Sequence, residues 1–209
     1  VALIIRQPTS NQTPDATLGG AAVTDITNTG HGSTTTTSSV LDSPPPGSPV
    51  NDADNKTARW FALQDVGGEK ILVKLKFSWD VSGSCNATGG FGLPDPQIDG
   101  TASAEGSFHI DYSVNGGSNW TQHVSDSMTA SSVGASDSDS FNNASSADIT
   151  LSNAQDVSQV QVRVQYQTSA NAEAGNGLEN AVADSTIDAT VSGIQVEVTT
   201  VDGTVIIIM

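Results

Sequence analysis

The sequence predicts an all-β protein: an antiparallel β-sandwich, jelly-roll-like, with about eight to ten strands and an extended N-terminal arm. Three observations carry this. Ser, Thr, Asn, Gly and Val dominate, whereas the straight-chain helix formers are scarce, which biases the chain toward strands and turns. Apolar residues recur at every second position in several separate stretches. Turn clusters of Gly, Pro, Asn and Asp separate those stretches at irregular spacing, and no internal repeat of about 20 to 50 residues interrupts the pattern. Such spacing fits a sandwich or jelly roll better than a barrel or propeller.

Taken in order, residues 1–57 read as an extended arm or strap. VALIIRQP opens with an edge strand, and TNTGHGSTTTTSS and DSPPPGSP then offer few side chains to bury. Pro44, Pro45, Pro46 and Pro49 favour polyproline-like extension and cannot donate ladder hydrogen bonds. Residues 58–209 read as the sandwich domain. In KILVKLKFSWD the alternation puts Ile71, Val73, Leu75, Phe77 and Trp79 on one face. Lys70, Lys74 and Lys76 fall on the other, placed to meet acidic neighbours across the sheet or on a partner subunit.

Cys85 to Gly106 reads as loop, because it holds glycines and prolines without sustained alternation. GSFHIDYSV resumes the pattern with Phe108, Ile110, Tyr112 and Val114 on one face and His109 and Asp111 on the other. Asn115, Gly116 and Gly117 supply a tight turn, and Trp120 begins the return strand. Ser131 to Ser146 reads as a polar loop, and Ala147 to Val157 as a short strand entering a turn. SQVQVRVQYQT is the cleanest alternation, with Val160, Val162, Val164 and Tyr166 inward on a central strand with one wet face. SANAEAGNGLENAVADS reads as a loop. In the segment after it the phase slips at Gly193, between Ile187, Ala189 and Val191 on one side and Ile194, Val196 and Val198 on the other, which predicts a β-bulge. TVIIIM closes the sequence as a β-prone segment of low charge, either paired inside the sheet or saved for another subunit.

The charge and cysteine content narrow the function classes. With 23 Asp plus Glu against 7 Lys plus Arg, the formal charge is −16, which repels phosphate backbones and anionic headgroups and argues against nucleic acid and membrane partners. Cys85 is the single cysteine, so an intrachain disulfide is excluded. No apolar run approaches the roughly 20 residues that cross a bilayer, and VALIIR lacks the basic leader of a signal peptide.

Catalytic motifs are absent. His31, His109 and His123 do not form H-x-x-x-H, no C-x-x-C or G-x-S-x-G occurs, and nothing singles out a carboxylate pair for glycoside hydrolysis. The expectation is a non-enzymatic protein with no cofactor. Two features nominate ligands. Asp52, Asp54 and Asn55 gather oxygen ligands ahead of a strand and form a candidate structural calcium site, with Asp137 and Asp139 a weaker pair. Trp60 and Trp120 are candidate platforms for stacking on sugar rings, whereas Trp79 continues an apolar face and belongs to the core. Five N-x-S/T sequons, at Asn11, Asn55, Asn86, Asn119 and Asn143, are near chance in so Ser/Thr-rich a chain.

Two resemblances complete the reading. Ser113 to Trp120, SVNGGSNW, resembles the Asp-box hairpin of sialidase-type propellers, with Asn115 in place of the acid and Asn119 in place of the threonine. There it is a repeated turn-stabilising device, so a single copy implies a structural hairpin. ALIIRQPTSNQT with ATLGGAA near the start, and DATVSGIQVEVTT near the end, resemble the opening and closing segments of phage and prophage β-sandwich virion proteins over about thirty residues. This resemblance implies a structural protein of a bacteriophage virion, assembled in the host cytoplasm. It would be a capsid decoration (cement) protein or a tail appendage, bound to the major capsid or tail protein and to copies of itself through its arm and edge strands. The alternative is a carbohydrate-binding sandwich module with a structural calcium; a polysaccharide or ester hydrolase comes third.

Overall fold

The computed structural model describes residues 2–7, 32–44, 46–61, 67–94, 97–152 and 156–201. Within them lie nine strands: β1 (Ala2–Arg6), β2 (Gly32–Asp42), β3 (Val50–Phe61), β4 (Lys70–Thr88), β5 (Thr101–Ser113), β6 (Thr121–Val133), β7 (Ser136–Thr150), β8 (Gln161–Glu173) and β9 (Ala181–Thr200). Among the described residues a single 3-10 turn spans Val157–Gln159. All pairings are antiparallel.

One sheet runs β2-β9-β4-β7, with β1 sharing the β9 edge beyond the end of β2; the other runs β3-β8-β5-β6. Among the described strands only β5 and β6 are neighbours both in sequence and within one sheet. Every other connection leads from one sheet to the other or returns to a non-adjacent strand, and this order is that of a jelly roll.

Alternation explains the core. Val73, Leu75, Phe77, Trp79 and Val81 of β4 point inward, as do Val162, Val164 and Tyr166 of β8 and Phe108 and Ile110 of β5, all buried. They meet Ile187, Val191, Ile194, Val196 and Val198 from β9. Gly193 has φ +63°, and the β4–β9 register shifts between Lys76 and Ser78, opposite that glycine. The predicted bulge is present, and it returns Ile194 to the inner face after Val191. A second shift, between Lys70 and Leu72, overturns one assignment: it turns Ile71 outward, 55% exposed, away from the face it would share with Val73.

Four segments read as irregular are strands. The division at residue 57 falls inside β3, and β2 and β3 belong fully to the two sheets; only the connection at 43–49 keeps the proline-rich character. Residues 8–31, which include His31, lie outside the described residues. The loop expected from Cys85 to Gly106 shrinks to 89–100, because β4 runs on to Thr88 and β5 begins at Thr101. The polar loop expected at Ser131 to Ser146 is the end of β6, a corner at Gly134 and Ala135, and most of β7. The loop expected after Thr168 likewise begins only beyond Glu173.

The physical reason is shared. This end of the sandwich is filled by Cys85, Ala87, Ala102, Ala104, Ala130, Ala170, Ala172, Ala181 and Ala183, all buried. Small side chains alternate there without a strong hydrophobic signal, and they let the sheets approach closely. Ser185 Oγ donates to Glu105 O at 2.7 Å and Ser38 Oγ to Thr168 O at 3.1 Å, both from one sheet to the other. Gly83 on β4 leaves room for Phe141 of β7, whose ring carbon would stand 2.6 Å from an added Cβ. Cys85 is buried here and desolvation pushes its thiol up, which leaves it a packing residue.

Candidate functional site

The hairpin between β5 and β6 is built by its own polar side chains. Asn115 Oδ1 accepts from Ser113 Oγ and from Asn119 N–H, both at 2.9 Å, and Ser113 Oγ accepts from Gly117 N–H at 3.0 Å. Gly116 and Gly117 have φ +69° and +85°, a region closed to most side chains. The stretch that resembles an Asp-box therefore turns the chain.

The three candidate calcium ligands do not converge. Asp52, Asp54 and Asn55 all lie on β3, where neighbours alternate between faces. Asp54 is buried in a row with Thr168, Gly106 and Met128, whereas Asn55 faces the outer side. Asp52 Oδ2 accepts from Ser39 N–H at 3.2 Å. Among the described residues no group of three His, Cys, Asp or Glu is placed to hold a metal. Trp60 occupies a β3 position opposite Val162, and its side chain lies outside the described residues. Trp79 is buried, with Nε1 donating to Asn143 Oδ1 at 3.0 Å.

Trp120 belongs to a polar face. Arg163 stacks on its ring, with Cζ 4.2 Å from the centroid. Arg163 Nε also donates to Asp111 Oδ2 at 2.7 Å, and His109 Nε2 lies 3.5 Å from the same oxygen. Asp111 is 3% exposed, a carboxylate whose burial is offset by the guanidinium beside it. Further along the same face His109 bonds Gln165 at 2.9 Å, and Gln165 donates to Thr57 Oγ1 at 3.1 Å. Two adjoining hollows of about 250 and 240 Å³ share Asn55, Ser107 and Gln167. Amides, hydroxyls and one imidazole line them together with the carboxylates of Asp54 and Glu105, a set of donors and acceptors that suits polyhydroxy ligands and disfavours anions. The Asp111–Arg163 pair escaped sequence reading, although each stood at a polar position of an alternating strand; only the register, which sets them opposite each other, unites them.

The predicted lysine face is balanced by acids. Lys74 Nζ lies 2.9 Å from Asp148 Oδ1, and Lys76 Nζ lies 2.8 Å from Glu197 Oε2 and 3.6 Å from Asp148 Oδ2. The hydrogen bond from Lys74 holds the Asp148 carboxyl below its ordinary range, and the bond to Glu197 raises Lys76.

Carboxylates also guard the seams between the sheets. Asp139 Oδ2 accepts from Thr129 N–H and Asp137 Oδ2 from Ser131 N–H, each at 3.0 Å, so β7 occupies backbone donors along the β6 edge. On the other side, besides Asp52, Asp42 Oδ2 accepts from Ala174 N–H at 2.9 Å. Charge on an edge blocks pairing with another chain. The double variant Asp137→Ser/Asp139→Ser is expected to lose about 1 kcal/mol per bond in urea unfolding and to scatter more light on storage; scattering equal to the parent's would refute the guarding role.

Along one edge no such guard lies among the described residues. β7 pairs with β4 from Lys74 onward, with Leu151 N–H donating to Val73 O at 2.9 Å. Among the described residues no strand pairs with Ile71 and Leu72 on that side. A groove of about 620 Å³ opens there, lined by Gly68, Lys70, Ile71, Leu72, Val73, Thr150, Leu151 and Ser152. Leu3, Ile5 and Val201 are exposed at the same end of this sheet. At the opposite end Phe91, Leu93, Ile98 and Leu178 are exposed on loops fixed by Asn176 Oδ1, which accepts from Leu93 N–H at 2.7 Å and Ile98 N–H at 3.1 Å.

No family model matches the chain, and no curated protein matches it by sequence.

Proposed function

We propose that this chain is a non-enzymatic structural protein of a bacteriophage virion, a capsid decoration (cement) protein or a tail appendage, that holds neighbouring subunits through strand edges and apolar ends. The observation that carries the assembly part is the uneven protection of the edges. Aspartates occupy backbone donors at both seams, while Ile71 and Leu72 and the exposed apolar residues at both ends are left uncovered. Selective guarding of this kind supports a molecule that associates at chosen places. Jelly rolls build both viral capsid and lectin domains, so the architecture is an analogy that admits the reading without choosing it. The virion assignment rests on the resemblance of the end segments. Antibody against the chain, gold-labelled and applied to particles purified from the source, is expected to mark a shell or a tail. Label confined to the soluble fraction would remove the assignment.

A second reading is favoured by the hollows above Asn55, Ser107 and Gln167: a carbohydrate-binding face, with Trp120 as its aromatic edge. A glycan array separates the two. A specific signal that Gln167→Ala abolishes supports the carbohydrate reading, and a blank array supports the first.

A further inference from the structure

On the carbohydrate reading of the β3-β8-β5-β6 face, on which the assignment rests, we propose that its two hollows are adjoining subsites for two linked rings of a glycan that carries no acidic group.

Register and side-chain length shape the site. Asn55, Gln167, Ser107 and Ser127 stand opposite one another across all four strands, and the serines are short beside the two amides, so the face sinks toward β5 and β6. Asn55, Gln167 and Ser107 line both hollows. From this shared row one hollow, of about 250 Å³, continues to Glu105 and Ser169, and the other, of about 240 Å³, continues to His109 and Gln165. Glu105 to His109 is a step of four residues along β5, about 13 to 14 Å at the rise of a strand. Two linked sugar rings cover that length and one does not. Each hollow alone falls short of the roughly 300 Å³ at which small-molecule sites begin, and the two joined exceed it.

The polar groups are set for hydroxyls. Gln165 Nε2 donates to Thr57 Oγ1 at 3.1 Å, which turns its Oε1 toward His109 Nε2 at 2.9 Å. His109 Nε2 is therefore the donor, and the Asp111 carboxylate, 3.5 Å from the same nitrogen, also favours hydrogen there. In the neutral ring Nδ1 is then an acceptor for a sugar hydroxyl. The amides of Asn55 and Gln167 and the hydroxyl of Ser107 each both donate and accept. Charge excludes acidic sugars. Among the described residues no Lys or Arg lines either hollow, whereas Asp54 and Glu105 do. Arg163, on the same face, is held 2.7 Å from Asp111 and stacks on Trp120. A carboxylate or sulfate placed in the hollows meets like charge with no cation to offset it.

The test starts from a glycan array of neutral, amino-bearing, uronate, sialylated and sulfated chains, probed with the full chain. The disaccharide unit of the strongest neutral signal and its two monosaccharides are then titrated calorimetrically against the full chain, Gln167→Ala and Ser107→Tyr, the last of which fills the shared row. Neutral or amino-bearing chains are expected to bind and acidic ones to give no signal. The disaccharide should bind at least about tenfold more tightly than either monosaccharide, and each substitution should weaken it at least about tenfold at an unchanged melting temperature. Should Ser107→Tyr melt below the parent, Gln167→Ala decides. A signal from acidic chains, a disaccharide no tighter than its parts, or full-strength binding by Gln167→Ala overturns the two-ring site while carbohydrate binding as such stands. A blank array overturns the carbohydrate reading and the site together.

Discussion

Phe108→Ala is expected to destabilise the fold by about 3–5 kcal/mol in urea or guanidinium unfolding. Phe108 is 1% exposed on the central strand β5, and its ring packs on Phe141 with centroids 5.3 Å apart. Phe141 comes from β7 in the other sheet and lies over Gly83 of β4. Removing Phe108 therefore withdraws one half of an aromatic contact between the sheets and leaves a cavity that Phe141 and the paired Tyr166 fill only in part. Phe108→Leu keeps most of the volume and should cost less than about 1.5 kcal/mol. A loss below about 1 kcal/mol for the alanine variant would mean that this contact does not hold the layers together.

The same contact shows what was legible beforehand. The alternation around Phe108, in KILVKLKFSWD and in SQVQVRVQYQT named the large inward residues of β4, β5 and β8 because each lies over the thick part of the core, where only bulky apolar groups fill the gap. The slip at Gly193 was readable for the same reason. β2, β7 and the ends of β4 and β8 were not. Their inward positions carry Ser38, Ala87, Ala170 and Ala172, or, in the case of β7, sit at an edge where Asp137 and Asp139 bond backbone donors of β6 instead of entering the core. Periodicity reports burial of large side chains; it is silent where the sheets nearly touch and where the edge is polar.

The functional surfaces were legible to a smaller degree, because they depend on register. Trp120 was visible as an aromatic beside a turn, but its partner Arg163 lies 43 residues along the sequence. His123 shows the same limit. The β5–β6 register passes from Val124 to Gln122 and leaves His123 as the extra residue of a bulge. Its ring meets Phe77 and Trp79 edge-on at 5.6 and 5.5 Å, a contact that no local pattern announced. The Ile71 bulge is the counterpart on the other sheet: one residue inserted into a ladder converts a core position into an exposed edge, and with it creates the groove.

Asp111→Ala should have the second-largest effect, about 2–3 kcal/mol. Its carboxylate is buried, and it is the group that Arg163 Nε touches at 2.7 Å, so its removal strands a guanidinium in a site built for an ion pair. The cost stays below that of a fully buried pair because one fifth of the Arg163 side chain is exposed and water reaches it. Freed from Asp111, Arg163 also loses the restraint that keeps it over Trp120, so the polar face should loosen together with the fold. The decisive measurement is a double-mutant cycle of Asp111→Ala and Arg163→Ala followed by urea unfolding. A coupling of more than about 1 kcal/mol is expected for charged groups in direct contact. Additive losses would show that the two side chains act independently, and the face around Trp120 would then owe its shape to the hairpin alone.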